Sequence, residues 1–186
     1  MNHAAQRPLH RRHPLLPHLL HSTPQAQSTI LHPCLPKGST TVHAGSALEG
    51  VGDWSHCLEL QRGLFDAQSG PLPLDSAASL TFFGFSYLYD RVAAIGLLDG
   101  HSVLFGNQSV TRRSIERGGA SLCALDHTAL ASRFAAHPEG DKAHLFCGDV
   151  AYISALLASL GFRESTELTV ANKLGVRRAA LPPRDP

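Results

Sequence analysis

The clearest structural pattern in the chain is the stretch CGDVAYISALLASLG at residues 147–161. Its large aliphatic residues recur at the spacing of one helix face; they are Val150, Ile153, Leu156, Leu157 and Leu160. Asp149 stands in the first turn, where a negative charge is favourable, and Gly161 is a typical C-terminal stop. The stretch therefore predicts an amphipathic helix, which is the most strongly patterned element of the sequence.

Weaker patterns upstream predict further helices. Asp53 is a typical N-cap residue and begins a predicted helix that extends through Phe65. Asp126 caps a short, alanine-rich helix that is expected to run to Ala136. A further helical stripe consists of Phe85, Leu88, Val92 and Ile95.

Other segments complete the predicted fold class. Residues 109–122 predict a polar, arginine-rich helix, and the glycines and prolines of residues 66–79 predict a loop. Polar and apolar residues alternate at residues 167–173, which predicts a strand, and residues 176–181 are a second candidate strand. Together these elements predict a helix-rich α/β fold without internal repeats.

Composition limits the classes of protein to consider. The chain has 186 residues, of which 43% are hydrophobic, as expected for about one globular domain. It contains no apolar run long enough to predict a membrane span. The formal net charge of +1 argues against nucleic-acid binding through bulk charge. The 4 cysteines include no CxxC pair, which argues against a zinc ribbon and leaves disulfides and buried thiols open.

Residues 1–30 have the composition of a disordered leader. No Asp or Glu precedes Glu49, half of the 12 histidines lie between His3 and His32, and repeated prolines prevent a long helix. The acid-free, arginine-bearing composition resembles an organelle transit peptide, and a secretory signal or a wrongly assigned start codon are the alternatives. The destination of the leader stays open at this point.

Two HxxH pairs in the leader are candidate metal ligands. They are His10 with His13 and His18 with His21. Residues three apart share a face only on a helix, which the prolines disfavour, and no acid or cysteine stands nearby as a third ligand. We therefore assign no metal ligand in the sequence.

The common catalytic motifs are absent from the sequence. It contains no GxSxG, HExxH, GxxxxGK[ST] or GxGxxG segment. Gly50 and Gly52 form a turn fragment without the Lys-Ser/Thr pair of a phosphate loop. Motif inspection alone therefore predicts a globular module without a self-sufficient catalytic centre.

Five segments nevertheless occur in a recognisable order. They are HPCLPKG at residues 32–38, GVGDWSHC at 50–57, FFGFSYLYDR at 82–91, LC at 122–123, and LFCGDVAYISALL at 145–157 followed by GF at 161–162. This succession resembles the C-terminal half of the apyrase family of nucleoside phosphatases, over about residues 32–181. The sequences FSYLYDR and CGDVAYISALL are most similar to those of the branch that prefers nucleoside diphosphates such as UDP and GDP.

The resemblance implies an actin-like fold, in which two ribonuclease-H-like lobes hold a nucleotide between them. It also implies Ca²⁺ or Mg²⁺ bound with the phosphates. The family's phosphate-binding motifs, DxGSxGxR and DxGGxSxQ, do not occur in this sequence. Residues 31–182 are therefore expected to form a C-terminal lobe, followed by a tail at 183–186. We expect this lobe to lack turnover by itself and to need a missing N-terminal lobe as partner.

The resemblance assigns roles to particular residues. Lys37, Tyr87 and Asp90 fall where family members contact the base and ribose, and a cation or aromatic ring stacks on a base while a carboxylate accepts from it. The alternative is that Tyr87 is a packing aromatic residue and that Asp90 pairs with a neighbouring arginine.

The resemblance also pairs the cysteines, Cys34 with Cys57 and Cys123 with Cys147. Such bridges imply an oxidising, secretory compartment, while four reduced cysteines in the cytosol are the alternative. Asn107 begins an Asn-Gln-Ser glycosylation sequon.

Two functional hypotheses of different class follow. The first is a fragment of a nucleoside di- or triphosphate hydrolase that carries the base-binding lobe. The second is a non-catalytic, degenerate module that binds a nucleotide or another protein.

Overall fold

A computed structural model describes residues 29–66, 81–98 and 108–172 of the chain. Within these ranges the protein is a mixed α/β unit with five α-helices and two three-stranded sheets. Several predictions concern residues outside the described ranges: the leader before Thr29 with its histidine pairs, the sequon at Asn107, the candidate strand at 176–181 and the tail.

The first sheet is formed by residues that the sequence analysis did not recognise as strands. It contains β1 (Thr29–His32), β2 (Thr40–His43) and β3 (Ser46–Gly50), and β3 pairs in parallel with β1 and antiparallel with β2. The first described strand begins at Thr29, within two residues of residue 31, where the lobe was expected to begin. β1 and β2 are almost wholly exposed, so they carry no alternating apolar pattern.

Helix α1 (Trp54–Asp66) begins where the sequence predicted. A carboxylate oxygen of Asp53 accepts a hydrogen bond from the backbone N–H of His56 at 3.0 Å, which is the contact of an N-cap. Cys57 and Leu58 of this helix are buried, while Leu60 and Leu64 are exposed.

In the second sheet, the strand that comes last in the sequence lies between the other two. β6 (Glu167–Val170) pairs in parallel with β4 (Phe83–Gly84) and antiparallel with β5 (Gln108–Thr111). The strand prediction for residues 167–173 is confirmed over its first four residues. Leu168 and Val170 of β6 are buried in the core.

Helices α2 (Tyr87–Ala94) and α3 (Arg112–Cys123) both begin later than predicted. Phe85 precedes α2 and is 38% exposed, so it does not belong to the buried stripe of that helix. Residues 109–111 extend β5 because Thr111 caps α3: its hydroxyl accepts the backbone N–H of Ser114.

Helix α5 (Phe146–Ser159) occupies the centre of the fold and confirms the strongest prediction. It packs against α1, α2 and α3, and Phe146, Val150 and Ala151 are fully buried. Before it come α4 (His127–Arg133), capped by Asp126 as predicted, and a 3₁₀ helix at Gly140–Leu145.

Two disulfides lie beside α5. Cys34 pairs with Cys57 and Cys123 with Cys147, with Cα–Cα distances of 4.8 and 5.0 Å. The pairing expected from the resemblance is confirmed. Both bridges pack in one cluster with Ala151 and Trp54, and they are compatible with an oxidising compartment. Over the ranges that the structure describes, no helix is long and apolar enough to cross a membrane.

Candidate functional site

A cavity of about 320 Å³ opens where the end of β1, helix α1, the start of α2 and helix α5 meet. Its described walls combine aromatic, imidazole, amide and carboxylate side chains with apolar ones. They are His32, Cys34, Leu35, Gln61, Tyr87, Leu145, Gly148, Asp149 and Tyr152.

The wall at Cys34 and Leu35 is held in place by two glycines. The N–H of Gly50 donates to the carbonyl of Ser39, and the N–H of Gly52 donates to the carbonyl of Leu35, both at 2.9 Å. A β-carbon at residue 50 would collide with the carbonyl of Pro36. These glycines therefore allow the loop after β1 to pack closely, which is a structural role and not that of a phosphate loop.

Two tyrosines give the cavity aromatic walls from different elements. Tyr87 begins α2 and Tyr152 lies on α5, and they are 42% and 38% exposed. The ring of Tyr152 packs against Phe65 of α1, with 5.4 Å between the ring centroids. Each ring thus rests on the protein while a large part of its surface stays accessible.

A buried arginine lies behind Tyr87. Arg91 is 6% exposed, and its guanidinium is 4.9 Å from the centroid of the Tyr87 ring and 4.3 Å from that of Phe146. Its Nε donates to Oδ2 of Asp149 at 2.7 Å and its Nη1 to Oε2 of Glu139 at 2.8 Å. Burial alone would lower the pKa of Arg91, but the bonds to the two carboxylates outweigh it and raise the pKa.

Asp149 lines the same cavity as Tyr87. Burial of the hydroxyl and then the neighbouring carboxylate of Asp149 raise the pKa of Tyr87 far above its ordinary value of 10.0. Tyr87 therefore presents a protonated hydroxyl and an aromatic face at neutral pH.

The residues expected to bind a base are placed in different surroundings. Tyr87 lines the cavity, whereas Lys37 and Asp90 are exposed and are not among its described lining residues. The carbonyl of Lys37 accepts the N–H of His127 at the start of α4. The neighbour of Asp90, Arg91, pairs with other carboxylates. A base-binding role for these three residues stays a prediction.

Sequence reasoning did not single out Asp149 and Tyr152 as cavity residues. Asp149 had a sufficient explanation as a charge in the first turn of α5, and Tyr152 lies off the apolar stripe of that helix. Two features of the sequence could have indicated them. Asp149 and Tyr152 are three residues apart, which places them on one face of the helix, and this face lies away from the apolar stripe.

The described residues do not fit a resident metal site. Among them no group of three or more His, Cys, Asp or Glu side chains is arranged to hold a metal ion. We therefore place no ligand for Ca²⁺ or Mg²⁺ in this part of the chain.

Comparison with known proteins adds no assignment. No protein-family model matches the chain, and no curated protein matches it. The cavity and the five quoted segments are thus the basis for the functional proposal.

Proposed function

We propose that the chain is the base-binding lobe of an apyrase-type nucleoside phosphatase, and that the cavity receives the base of a nucleoside di- or triphosphate. One observation supports this proposal: most of the residues that line the cavity belong to the sequence segments that resemble the apyrase family. The segment HPCLPKG supplies His32, Cys34 and Leu35; FFGFSYLYDR supplies Tyr87; LFCGDVAYISALL supplies Leu145, Gly148, Asp149 and Tyr152.

The chemistry of the cavity suits a planar heterocycle. Its volume of about 320 Å³ lies at the lower end of the range for small-molecule sites. The tyrosine rings offer stacking surfaces, and stacking on an aromatic side chain contributes roughly 1–3 kcal/mol per base. Gln61 and Asp149 supply polar atoms at the edge, where ring N–H and carbonyl groups of a base need partners.

The same proposal includes the fold: the described residues would belong to one ribonuclease-H-like lobe of an actin-like protein. Support comes from the mixed sheet, in which β6 pairs in parallel with β4 and antiparallel with β5, packed with helices in one α/β unit. The two disulfides support a place in the secretory pathway, in the lumen or outside the cell.

Hydrolysis is proposed to need groups that this sequence does not contain. Phosphoryl transfer requires donors and a metal ion that stabilise the charge on the phosphoryl oxygens. The phosphate-binding motifs that would provide them in the family are absent from the 186 residues. Ca²⁺ or Mg²⁺ would then enter with the phosphates, and this chain's own part is to hold the base.

Calorimetric titration with UDP and GDP, in Ca²⁺ or Mg²⁺, tests the proposal. We expect binding without phosphate release, and Tyr152→Ala should weaken binding by about 5- to 150-fold, the equivalent of one lost stacking contact. Phe83→Ala is the matched control, because Phe83 is also a half-exposed aromatic residue but does not line the cavity.

Three results would contradict the proposal. They are no nucleotide binding, an equal loss of binding in both variants, and efficient phosphate release by this chain alone. The last result would place the catalytic groups within the sequence and overturn its role as a base-binding lobe.

A non-catalytic interaction module is the second candidate, and a groove between β1 and α1 favours it. The groove has a volume of about 630 Å³, and exposed Ile30, Leu31 and Leu60 contribute to its lining. Absence of nucleotide binding, together with a stable complex that is lost on Leu31→Asp, would favour this candidate.

A further inference from the structure

A histidine in the wall of the cavity has a fixed arrangement of donor and acceptor. His32, the last residue of β1, lines the cavity and is half-buried. Its Nδ1 accepts a hydrogen bond from the backbone N–H of Cys34 at 3.3 Å. An imidazole nitrogen that accepts carries no proton, so the proton of the neutral ring is on Nε2. His32 is therefore a hydrogen-bond donor at the nitrogen that does not bind the backbone.

The backbone that carries this imidazole is held at three successive residues. The carbonyl of His32 accepts the N–H of Val51 at 3.2 Å. The carbonyl of Pro33 accepts the N–H of Asp53 at 2.9 Å. Cys34 is joined to helix α1 by its disulfide. A donor on such a fixed segment needs little reordering when it meets a ligand, which favours a binding role.

The charge state of His32 agrees with this arrangement. Burial lowers the pKa of His32 below its ordinary value of 6.5, so the neutral ring predominates at pH 7. The charged ring would also carry a proton on Nδ1, opposite the N–H of Cys34, and would lose the hydrogen bond between them. Geometry and burial therefore favour the same state, a neutral imidazole with its proton on Nε2.

Two other polar groups of the cavity differ from His32 in what they offer. The amide nitrogen of Gln61 already donates to Sγ of Cys34 at 3.9 Å, and the carboxylate of Asp149 is an acceptor. Within the described ranges, the bond to Cys34 is the only hydrogen bond of the His32 side chain. Its Nε2–H is thus available to a ligand.

We propose that His32 is a specificity-determining residue of the cavity, and that its Nε2–H donates to a ring carbonyl oxygen of the bound base. The inference rests on the proposed function, because it takes the ligand to be a nucleotide. At the edge remote from the sugar, guanine and uracil carry a carbonyl oxygen, whereas adenine and cytosine carry an amino group. A donor in the cavity wall stabilises the carbonyl and is left without an acceptor opposite the amino group.

Two substitutions separate the roles of the two ring nitrogens. His32→Asn keeps an oxygen that can accept the N–H of the residue two positions on, but has no group that reaches as far as Nε2. His32→Gln places an amide donor near the position of Nε2 and is the conservative rescue. His43→Asn is the matched control, because His43 is an exposed histidine of β2 that does not line the cavity.

The experiment measures the binding of UDP and CDP by calorimetric titration to the native chain and the three variants. The two nucleotides differ only at the edge that carries the carbonyl or the amino group, so the ratio of their dissociation constants reports this contact. We expect the native chain to bind UDP about fivefold more tightly than CDP, the equivalent of one hydrogen bond. The preference should fall below about twofold in His32→Asn, recover in part in His32→Gln and stay unchanged in His43→Asn.

Failure of the inference and failure of the proposed function give different results. Equal affinities of the native chain for UDP and CDP, or a preference that His32→Asn leaves unchanged, would overturn the role of His32 and leave the base site intact. Absence of binding of either nucleotide to the native chain would overturn the proposed function, and the donor role with it.

A second measurement does not depend on a nucleotide. Nitrogen NMR spectroscopy of the native chain with isotope-labelled histidine distinguishes the two neutral tautomers, and the signal of His32 is identified by its loss in the His32 variants. We expect the proton on Nε2 at neutral pH. A proton on Nδ1 would overturn the inference even if UDP is preferred, because Nε2 would then be an acceptor.

Discussion

Gly119 of α3 lies so close to Trp54 of α1 that a β-carbon on residue 119 would come within 2.5 Å of the indole ring. The same β-carbon would be 2.8 Å from Val150 of α5. Three helices therefore meet at a position that only glycine fits. The glycine therefore allows α3 to approach both α1 and α5 closely.

Gly119→Ala should destabilise the protein by about 1–3 kcal/mol, because the added methyl group overpacks the junction of α1, α3 and α5. Gly63→Ala on α1 is the matched control: among the described residues, no atom outside the adjacent backbone of α1 lies within 4 Å of the new β-carbon. That change should stabilise the helix by about 0.5–1 kcal/mol. Urea denaturation of both variants measures the difference, and equal effects in the same direction would contradict the packing assigned to Gly119.

Each disulfide should contribute about 3 kcal/mol to the free energy of unfolding, because each closes a loop with a sequence separation of 23 or 24 residues. Replacement of Cys34 and Cys57 together by alanine should lower the urea midpoint accordingly. Thiol titration of the unfolded, unreduced protein provides the direct check. We expect no free thiol, and four titratable thiols would refute both bridges.

How much of this structure is readable from the sequence depends on where the stabilising contacts lie. Helix α5 could be predicted because its buried residues repeat at helical spacing within one segment. Strands β1 and β2 could not be predicted, because their side chains are exposed and their structure depends on pairing with β3. The turn between β2 and β3 also lacks the usual Asn-Gly signal.

The candidate site follows the same rule. Tyr87 could be proposed from the resemblance, but the partners of Arg91 are 48 and 58 residues away in the sequence. No local pattern indicates which acidic residues approach a buried arginine. Asp149 was already explained as a favourable charge at a helix N-terminus, and only the fold places its carboxylate beside Arg91.

Ser154 provides a test of the polar contact inside the helical core. It is fully buried on α5, and its hydroxyl donates to Oε1 of Glu116 on α3 at 2.7 Å. Ser154→Ala should cost about 1 kcal/mol, because Glu116 keeps its bond to Arg112 and is not left without a partner. Ser121→Ala is the control, since Ser121 is exposed and its hydroxyl donates to the carbonyl of Arg117 in the same helix. Equal denaturation midpoints for the two variants would contradict a stabilising role of the Ser154 contact.

The pH dependence of stability should reveal the ion pair between Glu139 and Arg91. The hydrogen bond and charge of Arg91 lower the pKa of Glu139 below its ordinary value of 4.5, with a smaller effect from Lys142. A carboxylate with a lowered pKa in the folded state adds stability above its ordinary pKa, and this stability is lost as the pH falls through the lowered value. Glu139→Gln removes that contribution at all pH values. Urea denaturation from pH 7 to pH 3 should therefore show the native protein as the more stable form at neutral pH, with the difference narrowing below about pH 4.5. A difference that stays constant over this range would show that the charge of Glu139 does not stabilise the fold.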